Sequence, residues 1–560
     1  MCKSGISLYH RRIIAQTGGS FQFSEQGSFE AKRTFCIMTK TKIRSIILRV
    51  GKSRLCTRLW GQTHRNPPYF YFLRFFMNKS YFCSNALFTD FYELTMAQGY
   101  WKAQMNQEVV FDMFFRRNPF NGGFSVLAGN ETLIDSITEF HFEDDDIAFL
   151  KEQGIFEQGF LDYLKTFRFT GDLYTMDEGT VIFPQEPLVR IHANLIEAQI
   201  LEGLILNIVN FQSLIATKTA RVWLASKGAP IMEFGLRRAQ GPDGAMSATR
   251  AAFIGGAAGT SNTLAGKLYG IPVMGTMAHS WIMSHSSELE AFREYAKIYP
   301  QNSVFLIDTY DTLKSGIKNA ITAGAELVEK GYNFGVRLDS GDISYLTREV
   351  RKELDKAGFP QAKISVSNEL TEEIISTLVA GNAPIDSWGV GTHMVTGGNE
   401  SSFTGVYKLA ARHDKDTDKM IPAMKFSDNP AKTTNPGIKN VFRLYDDNGN
   451  AAADILALEG ETLECGKEYR FYHPMVDYRQ FSYKASRIEP LLKKRLEKGK
   501  RLSPRINDSE QLRLSRETMQ KQLASFDESY KRILNPHIYK VSITEKLKEL
   551  KVDFINKNLK

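Results

Sequence analysis

"YNFGVRLDSGD", residues 332–342, decides how this chain is read. A short apolar run, Phe334 to Leu338, passes into Asp339, Ser340, Gly341 and Asp342. A helix-patterned stretch then follows and closes on Gly358. A strand that delivers polar residues at its C-terminal end, directly before a helix, is the repeating unit of a parallel sheet with crossover helices.

The unit recurs in both directions along the chain. "PIMEFGLRR" (230–238), "IPVMGTMAHSW" (271–281), "SVFLIDTYDT" (303–312), "AKISVSNEL" (362–370) and "DSWGVGTHMVTGG" (386–398) each begin apolar and end in Arg, His, Asp, Asn or Thr. Helical patterns lie between them, as in "SSELEAFREYAKIYP" (286–300), where Ser287 and Glu290 stand in capping-box register. A long helix is predicted ahead of the series, over 195–228, with Gly228 to stop it. Strands buried on both faces should stay apolar to their ends. Six that do not are read as one site assembled from many strand ends, the active face of parallel α/β folds, here in a barrel.

Composition narrows the function. The 560 residues are 42% hydrophobic and 24% charged, as in ordinary globular chains. The formal charge of +8 is unevenly spread: residues 1–76 carry 14 Lys+Arg against 2 Asp+Glu, leaving 57 against 61 for the rest. The basic pI therefore belongs to the leader, whose composition fits a transit peptide or translated upstream sequence. A mildly acidic body argues against a nucleic-acid-binding one. No run approaches the ~18 apolar residues of a membrane helix, "LEGLILNIVNF" (201–211) coming nearest. Five cysteines without a CxxC pair indicate neither a zinc site nor a disulfide framework.

The strand ends also suggest chemistry. "GTHMVTGG" (391–398) and "GGAAGTSNTLAG" (255–266) are turns opening onto helices, where bare backbone N–H groups can hold phosphate. A plain tight turn is the competing reading. GxxxxGK[ST] is absent, so ATP is not held by a P-loop. Asp308 with Asp311, and Asp339 with Asp342, could bind ribose hydroxyls or a magnesium ion; helix capping is the alternative, and suits Asp308 and Ser340. Arg237, Arg238 and Arg337 offer forks for a carboxylate or phosphate, or ion pairs with those acids. His279, between Ala278 and Ser280 after an apolar run, is a candidate nucleophile or base against the commoner structural histidine.

"TDFYELTMAQGYW" (89–101), "FFRRNPFNGGFSVLAG" (114–129), "NFQSLIATKTARV", "GTMAHSW", "VRLDSGD" and "GVGTHMVTGG" resemble the nicotinate phosphoribosyltransferase family, in order from about residue 84 to the C-terminus. The resemblance implies a type II phosphoribosyltransferase: an α/β fold with an irregular β/α barrel and an α+β domain built from N-terminal and C-terminal segments. The corresponding division is a leader at 1–76, an N-terminal domain at 77–187, the barrel at 188–425, and a C-terminal segment at 426–560. It further implies transfer from 5-phosphoribosyl 1-diphosphate to nicotinate, coupled to ATP through a phosphohistidine. His279 would carry that phosphate. Tyr92, Thr276 and Arg337 would meet nicotinate. Thr392, with Gly391, Gly397 and Gly398, would meet the phosphoribosyl diphosphate, while Arg237, Asp308 and Asp339 support the site. Mg2+, a homodimer, a cytoplasmic location, and neither nucleic acid nor membrane as partner complete the expectation. A nicotinamide or quinolinate transferase, or a non-catalytic scaffold, are the alternatives.

Overall fold

The computed structural model describes residues 86–427, 432–476 and 478–558; the leader at 1–76 lies outside them. The stretch predicted as one helix over 195–228 forms two, Leu195–Ile200 and Glu202–Ala225, interrupted at Leu201. The second has apolar residues on every side and is correspondingly buried. Leu204, Ile205 and Val209 enter one core, and Ile215, Ala216 and Val222 a second. By length and composition alone the span 195–225 is apolar enough to cross a membrane, contrary to the expectation from its interrupted apolar run. In its most apolar 18-residue window 67% is buried within the protein. Its charged residues Lys218 and Arg221 are buried against Glu372.

Six parallel strands form the sheet that the opening stretch predicts. Their spatial order is Gly259–Thr260, Ile231–Glu233, Ser387–Val390, Lys363–Asn368, Phe334–Leu338, Ser303–Leu306. Helices Ile317–Val328, Ile343–Lys356 and Glu372–Ala380 make the crossovers between successive strands at one end. Asp342 caps the second of these, its side chain accepting from the Tyr345 amide at 3.1 Å. Among the described residues no ladder joins the two edge strands, so the sheet stays open, an incomplete and irregular barrel. One predicted strand is absent: "IPVMGTMAHSW" contributes only a single bridge, Val273 to Thr260. Pro272, Gly275 and the start of a helix at His279 leave too short a run to pair.

A seven-stranded antiparallel sheet lies around Glu108–Phe115, whose residues after Glu108 are all buried. Such a strand needs partners on both edges. It takes Val189–Asn194 on one and Gly405–Asp414 on the other. Asp172–Thr175, Lys493–Glu497 and Lys500–Arg501 extend one side, and Lys419–Pro422 the other. The segment 188–425 thus lends its first and last strands to this sheet rather than to the parallel one. A third sheet, of six strands, draws all its strands from 439–543.

Candidate active site

The C-terminal ends of the parallel strands surround a cavity of about 390 Å3. The strand Ile231–Glu233 delivers Phe234 and, from the turn Leu236–Arg238, Arg237 and Arg238. Phe334–Leu338 contributes Arg337 and then Asp339, while Ser387–Val390 leads to Gly391 and Thr392. Thr276 and His279 come from the 271–281 stretch, which reaches the cavity as a loop rather than as a strand.

His279 opens the helix His279–Met283 and is partly exposed to the cavity. Its Nδ1 lies 3.0 Å from the Thr309 hydroxyl, and its Nε2 3.7 Å from Asp339 Oδ2. The ring is thereby oriented between a hydroxyl and a carboxylate, with room on the cavity side. His285, the other histidine of that stretch, instead contacts the Trp281 carbonyl at 2.7 Å and is absent from the cavity wall.

Arg337 donates to the Thr276 hydroxyl and, at 3.1 Å, to the Met277 carbonyl; its buried Nε has no protein partner. Burial draws this guanidinium below its usual value, with the Asp339 and Asp308 carboxylates opposing. Asp308 does not line the cavity. Its Oδ2 accepts from the Asp339 amide at 2.9 Å and the Ser340 hydroxyl at 2.6 Å, which braces the loop that presents Asp339. Asp339 Oδ1 is held by Ser367 at 2.6 Å. Helix capping falls to Asp311 and Asp342, the second acid of each pair, and not to Asp308 or Ser340. That division leaves Asp339 on the cavity wall, with Asp308 behind it holding its loop.

At the other end, Thr392 donates to Glu369 Oε1 at 3.3 Å, and Gly391 is closely packed: a Cβ there would lie 3.2 Å from the Phe234 carbonyl oxygen. Besides Asp308, three expected residues stand apart from the cavity. Gly397 (φ 74°) turns the chain against Leu214, where a Cβ would lie 2.6 Å from the Glu400 carbonyl oxygen. Gly398 sits beside His393 and Lys218. Tyr92 projects from the helix Phe91–Lys102, is about half exposed, and lines no part of the cavity.

Several cavity residues are not evident from the sequence. Phe234 puts an aromatic residue on the cavity wall; its place just after a short strand is the available signal. Ser261 lies within the turn read as a phosphate site, and Ser367, Asn368 and Glu369 form the polar end of "AKISVSNEL". The assembled wall offers three guanidinium groups for anions, an aromatic face, two carboxylates and an accessible imidazole.

Comparison with known proteins places the chain in a family. Residues 87–210 match the nicotinate phosphoribosyltransferase N-terminal domain, 229–449 the nicotinate phosphoribosyltransferase family, and 438–551 its C-terminal domain. Nicotinate phosphoribosyltransferase of Bacillus subtilis is 40% identical over 469 residues, spanning 82% of this chain and 93% of that protein. The crystal structure of human nicotinic acid phosphoribosyltransferase superposes with a TM-score of 0.72 at 29% identity, covering 83% of this chain and 99% of the human one. Nicotinate-nucleotide pyrophosphorylase from Pyrococcus furiosus gives 0.60 at 25% identity, over 79% and 95% of the two chains.

Proposed function

Since this chain belongs to the nicotinate phosphoribosyltransferase family, we propose that it joins nicotinate to 5-phosphoribosyl 1-diphosphate, with ATP hydrolysis coupled through His279. The observation that carries the reading is the convergence of Arg237, Arg337, Thr276, His279 and Thr392 on one cavity. The pyridine nitrogen attacks C1 of the ribose, the bond from C1 to the diphosphate oxygen breaks, and diphosphate leaves with that electron pair. The transition state is oxocarbenium-like, so the protein works chiefly by orienting the two reactants and stabilising the leaving group.

Arg337, already fixed by Thr276 and the Met277 carbonyl, keeps its Nε for the nicotinate carboxylate. Thr392 and the amides after Gly391 receive the phosphoribosyl phosphate. A ring nitrogen of His279 takes the γ-phosphoryl group of ATP, ADP departs, and water later releases phosphate from the imidazole. The added negative charge beside Asp339 and Arg337 changes the affinity of the cavity for its anions between steps. Mg2+ would neutralise charge on the diphosphate. Asp339, on the cavity wall, would hold it, with the unpartnered Asp308 Oδ1 buried directly behind that loop. Among the described residues no three His, Cys, Asp or Glu gather into a closed cage. An ion that draws most of its ligands from phosphates and water requires none.

Tyr92 belongs to the exposed aromatic group Phe88, Phe91 and Tyr92, and in this reading it meets the pyridine of a second copy in a cytoplasmic homodimer. The test is product formation from nicotinate and phosphoribosyl diphosphate, with and without ATP, in the wild type and in His279→Asn. Nicotinate mononucleotide formed by both proteins, with ATP stimulation only in the wild type, is expected. Equal stimulation in both would remove the phosphohistidine. Faster product from nicotinamide or quinolinate would move the assignment to a sister activity.

A further inference from the structure

We propose that Glu233 is the positioning residue of this cavity, one buried carboxylate that fixes three of its walls at once. Glu233 ends the strand Ile231–Glu233, is 1% exposed, and does not itself line the cavity. One oxygen accepts from the Gly235 amide. The other accepts from the Thr249 hydroxyl at 2.9 Å and the Thr260 hydroxyl at 2.6 Å. An ionised carboxylate is acceptor-only, and here every partner is a donor.

Each bond controls a different part of the wall. Gly235 leads into the turn that carries Arg237 and Arg238. It is also pressed against the helix Thr392–Val395, where a Cβ on Gly235 would come 2.3 Å from Val395 Cγ1. Thr260 precedes Ser261, and its hydroxyl accepts from the Asn262 amide at 2.9 Å. The Ser261 amide in turn donates to the Glu233 carbonyl at 2.9 Å. Thr249 ties both turns to the helix Gly241–Ile254 and also accepts from Asn262 Nδ2 at 3.2 Å. The aromatic face, the arginine turn and the phosphate-end helix are therefore referenced to a single anionic group. A carboxylate buried in a three-residue parallel strand is strongly disfavoured unless donors of this kind surround it.

Which substrate feels the change rests on the transferase reading; the positioning does not. Glu233→Gln replaces one acceptor by an amide donor, so at least one of the three bonds must fail. Thr260→Val removes a single hydroxyl and leaves the carboxylate in place, while Thr260→Ser keeps the bond. The expected result is a rise of about tenfold or more in KM for nicotinate in Glu233→Gln and Thr260→Val. The value of kcat changes much less, and Thr260→Ser stays close to wild type. Amide hydrogen exchange should quicken at 234–238 and 259–262 in the two impaired variants and stay unchanged at 334–338. Unaltered exchange at both turns in Thr260→Val, or a Thr260→Ser as impaired as the valine variant, would overturn the proposal. If the wild type forms no nicotinate mononucleotide, the transferase reading falls while the exchange pattern still decides the role of Glu233. Should Glu233→Gln not fold, the Thr260 pair decides alone.

Discussion

Glu93 offers the sharpest quantitative test of the electrostatics. It lies buried in the helix Phe91–Lys102, where its Oε2 accepts from Gln199 Nε2 at 2.5 Å; the same amide donates to Glu202 Oε2 at 3.2 Å. Two acids thus converge on one donor. Burial pushes the Glu93 carboxyl up to about 7; the Glu202 and Asp90 charges add to the rise, and hydrogen bonds from Tyr92 and Gln199 oppose it. The folded chain therefore holds this proton more tightly than the unfolded chain. The stability it contributes is complete below about pH 4.5, and is lost as pH rises to about 7. At ~1.4 kcal/mol per pH unit the total is about 3.5 kcal/mol, of which about 2.5 kcal/mol disappears between pH 5 and pH 8. Glu93→Gln cannot titrate and escapes this loss. For a cooperative unit of roughly 470 residues the unfolding entropy is about 1 kcal/mol/K, so the variant should gain about 2–3 °C in Tm relative to wild type between those pH values. Thermal unfolding followed by circular dichroism, with both proteins at pH 5 and pH 8, measures the difference directly. A gap between the two proteins that is the same at both pH values would refute the assignment of a raised carboxyl to Glu93.

Two other substitutions separate binding from stability. Arg337→Lys exchanges a planar fork for a point charge and should raise KM for nicotinate by about 10- to 100-fold with little change in Tm; steady-state kinetics with an unaltered KM would show that the carboxylate is bound elsewhere. Gly179→Ala, outside the cavity wall, places a Cβ 2.0 Å from the Ser515 carbonyl oxygen at a φ of +89°. It should cost more than about 3 kcal/mol, lowering Tm by several degrees while leaving KM in place. A melting curve indistinguishable from wild type would mean that the helix Asp508–Ser525 gives way more easily than its packing implies.

The candidate site was legible in the sequence chiefly because parallel strands present polar residues only at their ends. That regularity located Arg237, His279, Arg337, Asp339 and Thr392 before any contact was known, and all five border the cavity. It failed where a role depends on what approaches from elsewhere in the chain. Glycines 397 and 398 read like a phosphate turn, but neither lines the cavity: both take a positive φ, and Gly397 is pressed against Leu214 and the Glu400 carbonyl. Phe234 was hidden inside an apolar run, where an aromatic side chain carries no mark of its orientation. Glu233 did carry a mark, an acid within that run, whose meaning lay in hydroxyls 16 and 27 residues away. The antiparallel sheet was less legible still, since the pairing of Glu108–Phe115 with Gly405–Asp414 leaves no local periodicity that one strand could signal to the other.

That pairing has a consequence for synthesis. The strand Glu108–Phe115 must wait for a neighbour encoded about 290 residues later, which at ~5–20 residues per second leaves one edge unpaired for roughly 15–60 s on the ribosome. Asp112, in the middle of that strand, is eventually neutralised by Lys439 at 2.9 Å. Until then it is an inward-facing charge of the kind that discourages strand-to-strand association between nascent chains. A shortened product ending just before Gly405 would still carry His279, Arg337 and Thr392. Its apolar strand Glu108–Phe115 would then have one edge permanently open, with the unneutralised Asp112 as its guard against association.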